Sequence, residues 1–234
     1  NFSISSISIS VKYFKNLFAV IVLVSIGISP IGDKFFDKLS WDINYYSRLR
    51  TCKLAKKYKV KHYIYPSSCS VYGLRKDLKL VNEKSKLDPK STYAKTKVEL
   101  EKKINKISNK NFIVTSLRLP TLFGYSKKMR NDLIINYFTG YIGNHNKINL
   151  QGDGKQGRPF LHVKDAAKAF IFFLEYKNKD IINKKVINIG NEKNNIILLD
   201  LAKKIFHQLK IKPKISYYGI QDNRSYFVDF SLSR

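Results

Sequence analysis

Apolar and polar positions along this chain fall into blocks whose periods name their structures. Leu17 to Val24, LFAVIVLV, is a continuous apolar run followed by small residues, which describes a parallel strand buried on both faces. Asp42 to Tyr58 includes Asn44, Leu49, Cys52, Leu54 and Ala55 and reads as a helix; Val60 to Tyr65 is the next strand. A small-residue run follows, Ser67-Ser68-Cys69-Ser70-Val71-Tyr72-Gly73, then a polar loop over 74–92 that holds Glu83 and Pro89. A helix opens at Tyr93 and runs to about Lys106. Its positions 93, 97, 100, 104 and 107 step by 4, 3, 4 and 3 and share one face. Four of them are Tyr93, Leu100, Ile104 and Ile107; the fifth is Lys97.

Asn111 to Leu119 is another strand, ended by Pro120 and Gly124, and Lys127 to Gly143 is helical and partly apolar. Lys147–Leu150 and Pro159–Val163 are extended. Gly152, Gly154 and Gly157 between them predict a hairpin turn, and are not read as a phosphate cradle. Asp165 starts a helix that reaches Tyr176, Val186 to Gly190 is a strand, Asp200 opens a further helix, and Lys214 to Tyr218 is extended. There are no internal repeats. The alternation predicts an α/β fold with a doubly wound parallel sheet, its ligand-binding residues at the strands' C-terminal ends.

Composition adds limits. A chain of 234 residues, 44% hydrophobic and 13% aromatic, is globular and can bury a core in one or two lobes. Its net charge of +27 comes mostly from scattered lysines. Nucleic-acid binding would suit that balance, but no basic block, Arg-rich arm, zinc, helix-turn-helix or RNP-type motif accompanies it. A solvated lysine-rich surface is the preferred reading, with no specific nucleic-acid partner, although the field would attract an anionic dinucleotide or nucleotide sugar. Cys52 and Cys69 have no metal-ligand spacing and give no disulfide framework, and the four histidines hold no zinc-spaced pair, so no metal is expected and a cytoplasmic location fits. Lys12 and Lys15 ahead of the apolar run imitate a signal peptide. That run is too short to cross a bilayer and lacks an Ala-x-Ala-like cleavage site, so a strand and no membrane partner are expected; a mature N-terminus after Ser29 would argue for secretion instead.

Lys97 carries the candidate chemistry. An ammonium in an apolar stripe is costly unless something there uses it; otherwise it snorkels from the stripe's edge to solvent. A tyrosine, whose free pKa is about 10, works as an acid or base near neutrality only with its phenolate stabilised. A lysine one turn along the helix can do that, and a serine hydroxyl at the end of a neighbouring strand can bond the same substrate oxygen. Tyr-x-x-x-Lys is a weak motif alone. Preceded by SSCSVYG and by Pro89-Lys90-Ser91-Thr92-Tyr93, it becomes specific, and from about Val20 to Phe230 the chain resembles the extended short-chain dehydrogenase/reductases, the NAD-dependent sugar-nucleotide epimerases and dehydratases.

The resemblance implies a Rossmann-like domain over 1–124 with 160–195 returning to it. It also implies a smaller α+β substrate-binding lobe over 125–159 and 196–234. It assigns Ser68, Tyr93 and Lys97 as catalytic and Asn44, Tyr93, Lys97, Leu119 and Pro120 as cofactor-binding, for NAD or NADP. Thr121, Arg130, Asn131, Arg158 and Arg224 are assigned to a nucleotide-sugar substrate, and a homodimer is compatible with it. Two departures stand out. The family's N-terminal glycine-rich turn is absent, and with roughly 30 residues per βαβ unit about two units are expected to be missing before Leu17, as are the C-terminal helices; the chain reads as a fragment of a longer enzyme. Ile21-Val22-Leu23-Val24 stands where the family has a histidine and alanines, and is expected to crowd the cofactor. The acid and base that dehydratases carry after the catalytic threonine are here Cys69 and Ser70, so an epimerase or simple oxidoreductase is favoured. The alternative is a catalytically degenerate protein that binds nucleotide sugars or acidic polymers.

Overall fold

The first apolar run forms strand β1 (Ala19–Ile21), which lies parallel to β2 (His62–Ser68), with Ala19 opposite His62 and Ile21 opposite Ile64. The structure is a computed structural model and describes residues 17–23, 25, 37–75, 77–220 and 224–233. Strands β4 (Ile113–Leu119) and β8 (Lys185–Asn188) complete a four-stranded sheet in the order β1-β2-β4-β8. The result is a mixed α/β, Rossmann-like fold with a parallel central sheet. The expected burial of the first strand on both faces is not met. β1 is shorter than Leu17–Val24 and only half-buried, and Leu23 is 66% exposed. Among the described residues β1 has a strand on one side only, so its Val20, with Val22 just beyond, packs against the core while its flanks face outward. Val24 and most of the stretch compared with a signal peptide lie outside the described residues.

The described residues divide into two compact units. The first draws on stretches up to Val71, Pro89–Arg118 and Phe170–Ile187; the second on Tyr72–Asp88, Leu119–Ala169 and stretches from Asn188 onward. In the first unit the helix expected from Asp42 starts earlier. It comprises α1 (Asp37–Trp41), a π-helical turn (Asp42–Tyr46) and α2 (Ser47–Lys57). Helix α3 (Thr92–Ile107) opens where Ser91, in extended conformation, accepts a bond from the Ala94 N–H at 3.2 Å. Thr92 Oγ1 donates to Asp37 Oδ1 at 2.5 Å, joining the first turns of α1 and α3. The stripe on α3 is buried as expected: Leu100 and Ile104 are fully covered, against Tyr63 and Tyr65 of β2 and Cys52 and Ala55 of α2. Each such aliphatic side chain contributes on the order of 2 kcal/mol.

In the second unit the two-residue strands β3 (Leu80–Val81) and β11 (Phe227–Val228) pair in parallel. β5 (Thr121–Phe123) pairs in parallel with β7 (Gly157–His162), which pairs antiparallel with β9 (Asn195–Ile197). The expected hairpin is absent. β6 (Ile148–Gln151) pairs with β10 (Ile215–Tyr218), so it and β7 belong to different sheets. The helix expected from Asp165 is α5 (Val163–Glu175), and the short α6 (Lys179–Ile182) precedes β8. The loop between β6 and β7 is held by Gln156 Nε2, which donates to Gln151 O at 2.8 Å. It also accepts, at Gln156 O and Gly154 O, the Leu198 and Leu199 N–H groups that begin helix α7 (Leu198–Gln208). Its glycines fall in the order G-x-G-x-x-G, yet they join two strands, and those two amides of the adjacent helix are already occupied, so the order is not a dinucleotide fingerprint. The helix expected over Lys127 to Gly143 is α4 (Ile134–His145). Residues 127–132 have a polar run, in which Arg130 pairs with Asp132 across a spacing no helix face offers. Asn136 then ties this loop down, donating to Arg130 O at 3.0 Å and accepting from Gly124 N at 3.1 Å.

One buried titratable group makes the first unit pH-sensitive. His62 is fully buried, with Nε2 2.9 Å from Thr115 Oγ1. The Thr115 hydroxyl donates to Ile182 O, so Nε2 carries the imidazole proton, and Nδ1 has no partner among the described residues. Burial, with Lys179 nearby, pushes the His62 pKa down to about 4 from 6.5. The unfolded chain therefore takes up a proton that the folded one refuses between those values. Stability falls as pH drops from 6.5 to 4, by up to about 3 kcal/mol from this group. Urea unfolding at pH 7 and pH 4.5 should show this slope flattened in His62→Gln; an equally steep slope in the variant would exclude His62 as its source.

Candidate active site

Helix α3 brings Tyr93 and Lys97 to the C-terminal end of β2. Tyr93 is half-buried and Lys97 is 3% exposed, so the lysine does not snorkel. Its Nζ donates to Pro66 O at 2.9 Å and lies 5.1 Å from the ring centroids of both Tyr65 and Tyr93. Two electron-rich faces and one carbonyl are modest compensation for a buried ammonium. Burial, then the Arg48 guanidinium, pushes the Lys97 pKa down to about 7, with Glu101 opposing. Pro66 is two residues before Ser68, which ends β2. The half-buried Ser68 hydroxyl accepts the Ser70 N–H at 3.2 Å as the chain turns into the 3₁₀ segment Cys69–Tyr72. Lys97 thus meets both the ring of Tyr93 and the strand end that presents Ser68.

Asn44 is also in the first unit, 1% exposed within the π-helical turn, where its Oδ1 accepts from Ser25 Oγ at 2.8 Å. Such turns recur at functional sites because the extra residue re-aims its neighbours. The remaining expected residues belong to the second unit. Leu119 ends β4, Pro120 is buried, and Thr121, half-buried, opens β5. Arg158 is 4% exposed, donates from Nη1 to Gly157 O at 3.1 Å, and sits 5.8 Å from the Tyr226 ring. Arg224 is half-buried one residue before Ser225, whose Oγ accepts the Gly157 N–H at 3.0 Å, so the two arginines lie on adjacent segments. Arg130 is exposed and forks onto Asp132. Asn131 borders an open groove of about 720 Å³ beside Met129, Tyr137 and Tyr141.

A buried charge pair escaped the sequence reading. Glu101, four residues after Lys97, is bridged by Arg118, with Nη2 2.7 Å from Oε2 and both side chains about 95% covered. The cue was available: Arg118 is the lone charge in the apolar strand FIVTSLRL, and Glu101 adjoins the buried stripe of α3.

The NAD dependent epimerase/dehydratase family model matches residues 5–190. A dTDP-D-glucose 4,6-dehydratase of Dictyostelium discoideum is 32% identical over 174 residues, which is 68% of this chain and 37% of that protein. The chain thus spans well under two thirds of the length of this curated relative. The UDP-glucuronic acid 4-epimerase of Bacillus cereus, solved with UDP-glucuronic acid and NAD, superposes with a TM-score of 0.85 at 22% identity, over 99% of this chain and 72% of that one. A UDP-N-acetylglucosamine 4-epimerase from Methanobrevibacter ruminantium M1, in complex with UDP-N-acetylmuramic acid, gives 0.82 at 24%, over 95% and 71%. These two structures share the fold of this chain, and the family match covers most of its length. On that match the chain belongs to the NAD-dependent epimerase/dehydratase family.

Proposed function

We propose that this chain carries the proton-handling and sugar-facing part of an NAD(P)-dependent epimerase or related oxidoreductase acting on a nucleotide-activated sugar. The observation that carries the reading is the buried Lys97 ammonium beside Tyr93 at the end of β2. An amine there costs stability, and among the described residues only one of its three N–H donors meets an acceptor, Pro66 O. The two remaining donors suit a pair of vicinal hydroxyls, so the residues fit the nicotinamide-ribose end of NAD, with Asn44, Leu119 and Pro120 as its further neighbours.

In the proposed reaction Tyr93 takes the proton of a sugar hydroxyl while Ser68 hydrogen-bonds the same oxygen. The charge on Lys97 favours the phenolate that Tyr93 needs. When bound, NAD supplies the hydride acceptor and donor. The sugar carbon gives up a hydride as its hydroxyl gives up a proton, leaving a ketone; return of both, the hydride to the opposite face, inverts the centre. Arg158 and Arg224 neutralise the substrate's diphosphate, and Thr121, Arg130 and Asn131 face the nucleotide sugar. Elimination of water would need a further acid and base. Cys69, fully buried with its thiol donating to Arg118 O at 3.4 Å, and Ser70 supply neither.

Tyr93→Phe in the intact protein should leave the fold unchanged and lower turnover at least about 100-fold; retained turnover rejects the role. Mass spectrometry of the product tests the reaction type: an epimer keeps the substrate's mass, and loss of one water would identify a dehydratase. Lys97→Met tests the cost of the amine. Lys97 titrates near 7 folded and near 10.5 unfolded, so the unfolded chain holds the extra proton in that window and wild-type stability climbs as pH rises through it. The variant should lack the climb and be more stable than wild type at pH 6, by on the order of 3 kcal/mol. Its advantage should vanish by the top of the window. A wild type whose stability does not rise between pH 7 and 10 would contradict this.

A further inference from the structure

A second charge system lies beside Lys97. Glu101 sits one helical turn further along α3 and Arg118 at the penultimate position of β4, each 3% exposed. Arg118 Nε donates to Glu101 Oε1 at 3.1 Å and Nη2 to Oε2 at 2.7 Å, a two-pronged grip. Ser67 Oγ donates to the same Oε1 at 2.5 Å, and the Cys69 thiol donates to Arg118 O. Both chain neighbours of Ser68 are therefore held, Ser67 by the Glu101 carboxylate and Cys69 by the main-chain carbonyl of Arg118. One carboxylate ties α3, the end of β2 and the end of β4 together.

Stability is a poor explanation for such a pair, because well-packed apolar residues in its place are usually neutral or better. An apolar pair cannot, however, offer an acceptor to the Ser67 hydroxyl, nor place negative charge near an amine. The charged and titratable groups facing Lys97 are Arg48 from α2, Tyr65 from β2, and Tyr93 and Glu101 from α3 itself. Arg48 favours the neutral amine and Glu101 the ammonium.

We propose that Glu101 is a positioning residue for the Tyr93–Lys97–Ser68 site: gripped by Arg118, its carboxylate fixes Ser68 through Ser67 and holds negative charge one turn from Lys97. This rests on the reading of Lys97 as a working ammonium. Glu101→Gln alone would remove the opposite charge from the buried Arg118 guanidinium and fold poorly, so the informative variant is the double replacement Glu101→Leu with Arg118→Met.

The readout is the titration of Lys97 by NMR of protein carrying ¹³Cε-lysine, its resonance assigned by its loss in Lys97→Arg, on the whole chain without NAD or substrate. The double variant should melt within a few degrees of wild type while the Lys97 midpoint falls by about one pH unit. An unchanged midpoint in the folded double variant makes the pair structural only and overturns the proposal. Ser67→Ala gives an independent arm that leaves the ion pair in place. It should lower kcat several-fold with KM and the Lys97 midpoint unmoved, and an unaltered kcat likewise overturns the proposal. Because the Lys97 midpoint is read without turnover, failure here is separable from failure of the epimerase reading, which Tyr93→Phe decides.

Discussion

A positive charge held out of water is the constraint around which the first unit is arranged. Lys97 occupies a stripe position where an aliphatic residue would pack at no electrostatic cost. Its compensation is one carbonyl, Pro66 O, two aromatic faces and the Glu101 carboxylate one turn along, with the Arg48 guanidinium opposing. That is insufficient to keep the amine fully protonated near neutrality. Stability alone does not account for such a residue. The cost is tolerable because the stripe on either side, Leu100 and Ile104 against Tyr63 and Tyr65, is fully buried and locks α3 onto β2.

That docking arranges the rest of the site. A strand ending at Ser68 and a helix whose first turn carries Tyr93 meet where Lys97 reaches the Pro66 carbonyl, toward the C-terminal end of a parallel strand, where α/β folds present their ligand groups. The Glu101–Arg118 pair fastens the same strand end, and the π-helical turn sets Asn44 inward on a neighbouring helix.

Much of this was legible in the chain. The 4-3-4-3 stepping of α3, expected from Tyr93 and found from Thr92, and the strand before SSCSVYG are local patterns, and each reappears in the structure. What was not legible depended on partners. The Gly152–Gly157 loop has the composition of a hairpin turn, but β6 finds its mate 67 residues away in β10, a choice made by core packing around Phe138, Ile142 and Phe206 and not by the turn. Residues 127–133 contain apolar residues at helical spacing, yet Asn136 and the Arg130–Asp132 pair bind that backbone into a loop. Among the described residues β1 is flanked by β2 alone and is half-buried; apolar composition does not say how many strands flank a strand. The π-helical turn left no recognisable periodicity. Of the expected site residues, Tyr93 and Lys97 share a face of α3 and Ser68 ends the strand whose Pro66 carbonyl Lys97 meets, while Glu101 became visible only through tertiary contacts.

Lys97, on this reading, waits near its midpoint for a ligand that needs it charged. Calorimetric titration of NAD into the protein at pH 8, in two buffers of different ionisation heat, measures this directly. Binding should take up a substantial fraction of one proton in wild type and none in Lys97→Met, which should also bind more weakly. Binding without proton uptake, or with equal affinity in the variant, would contradict it.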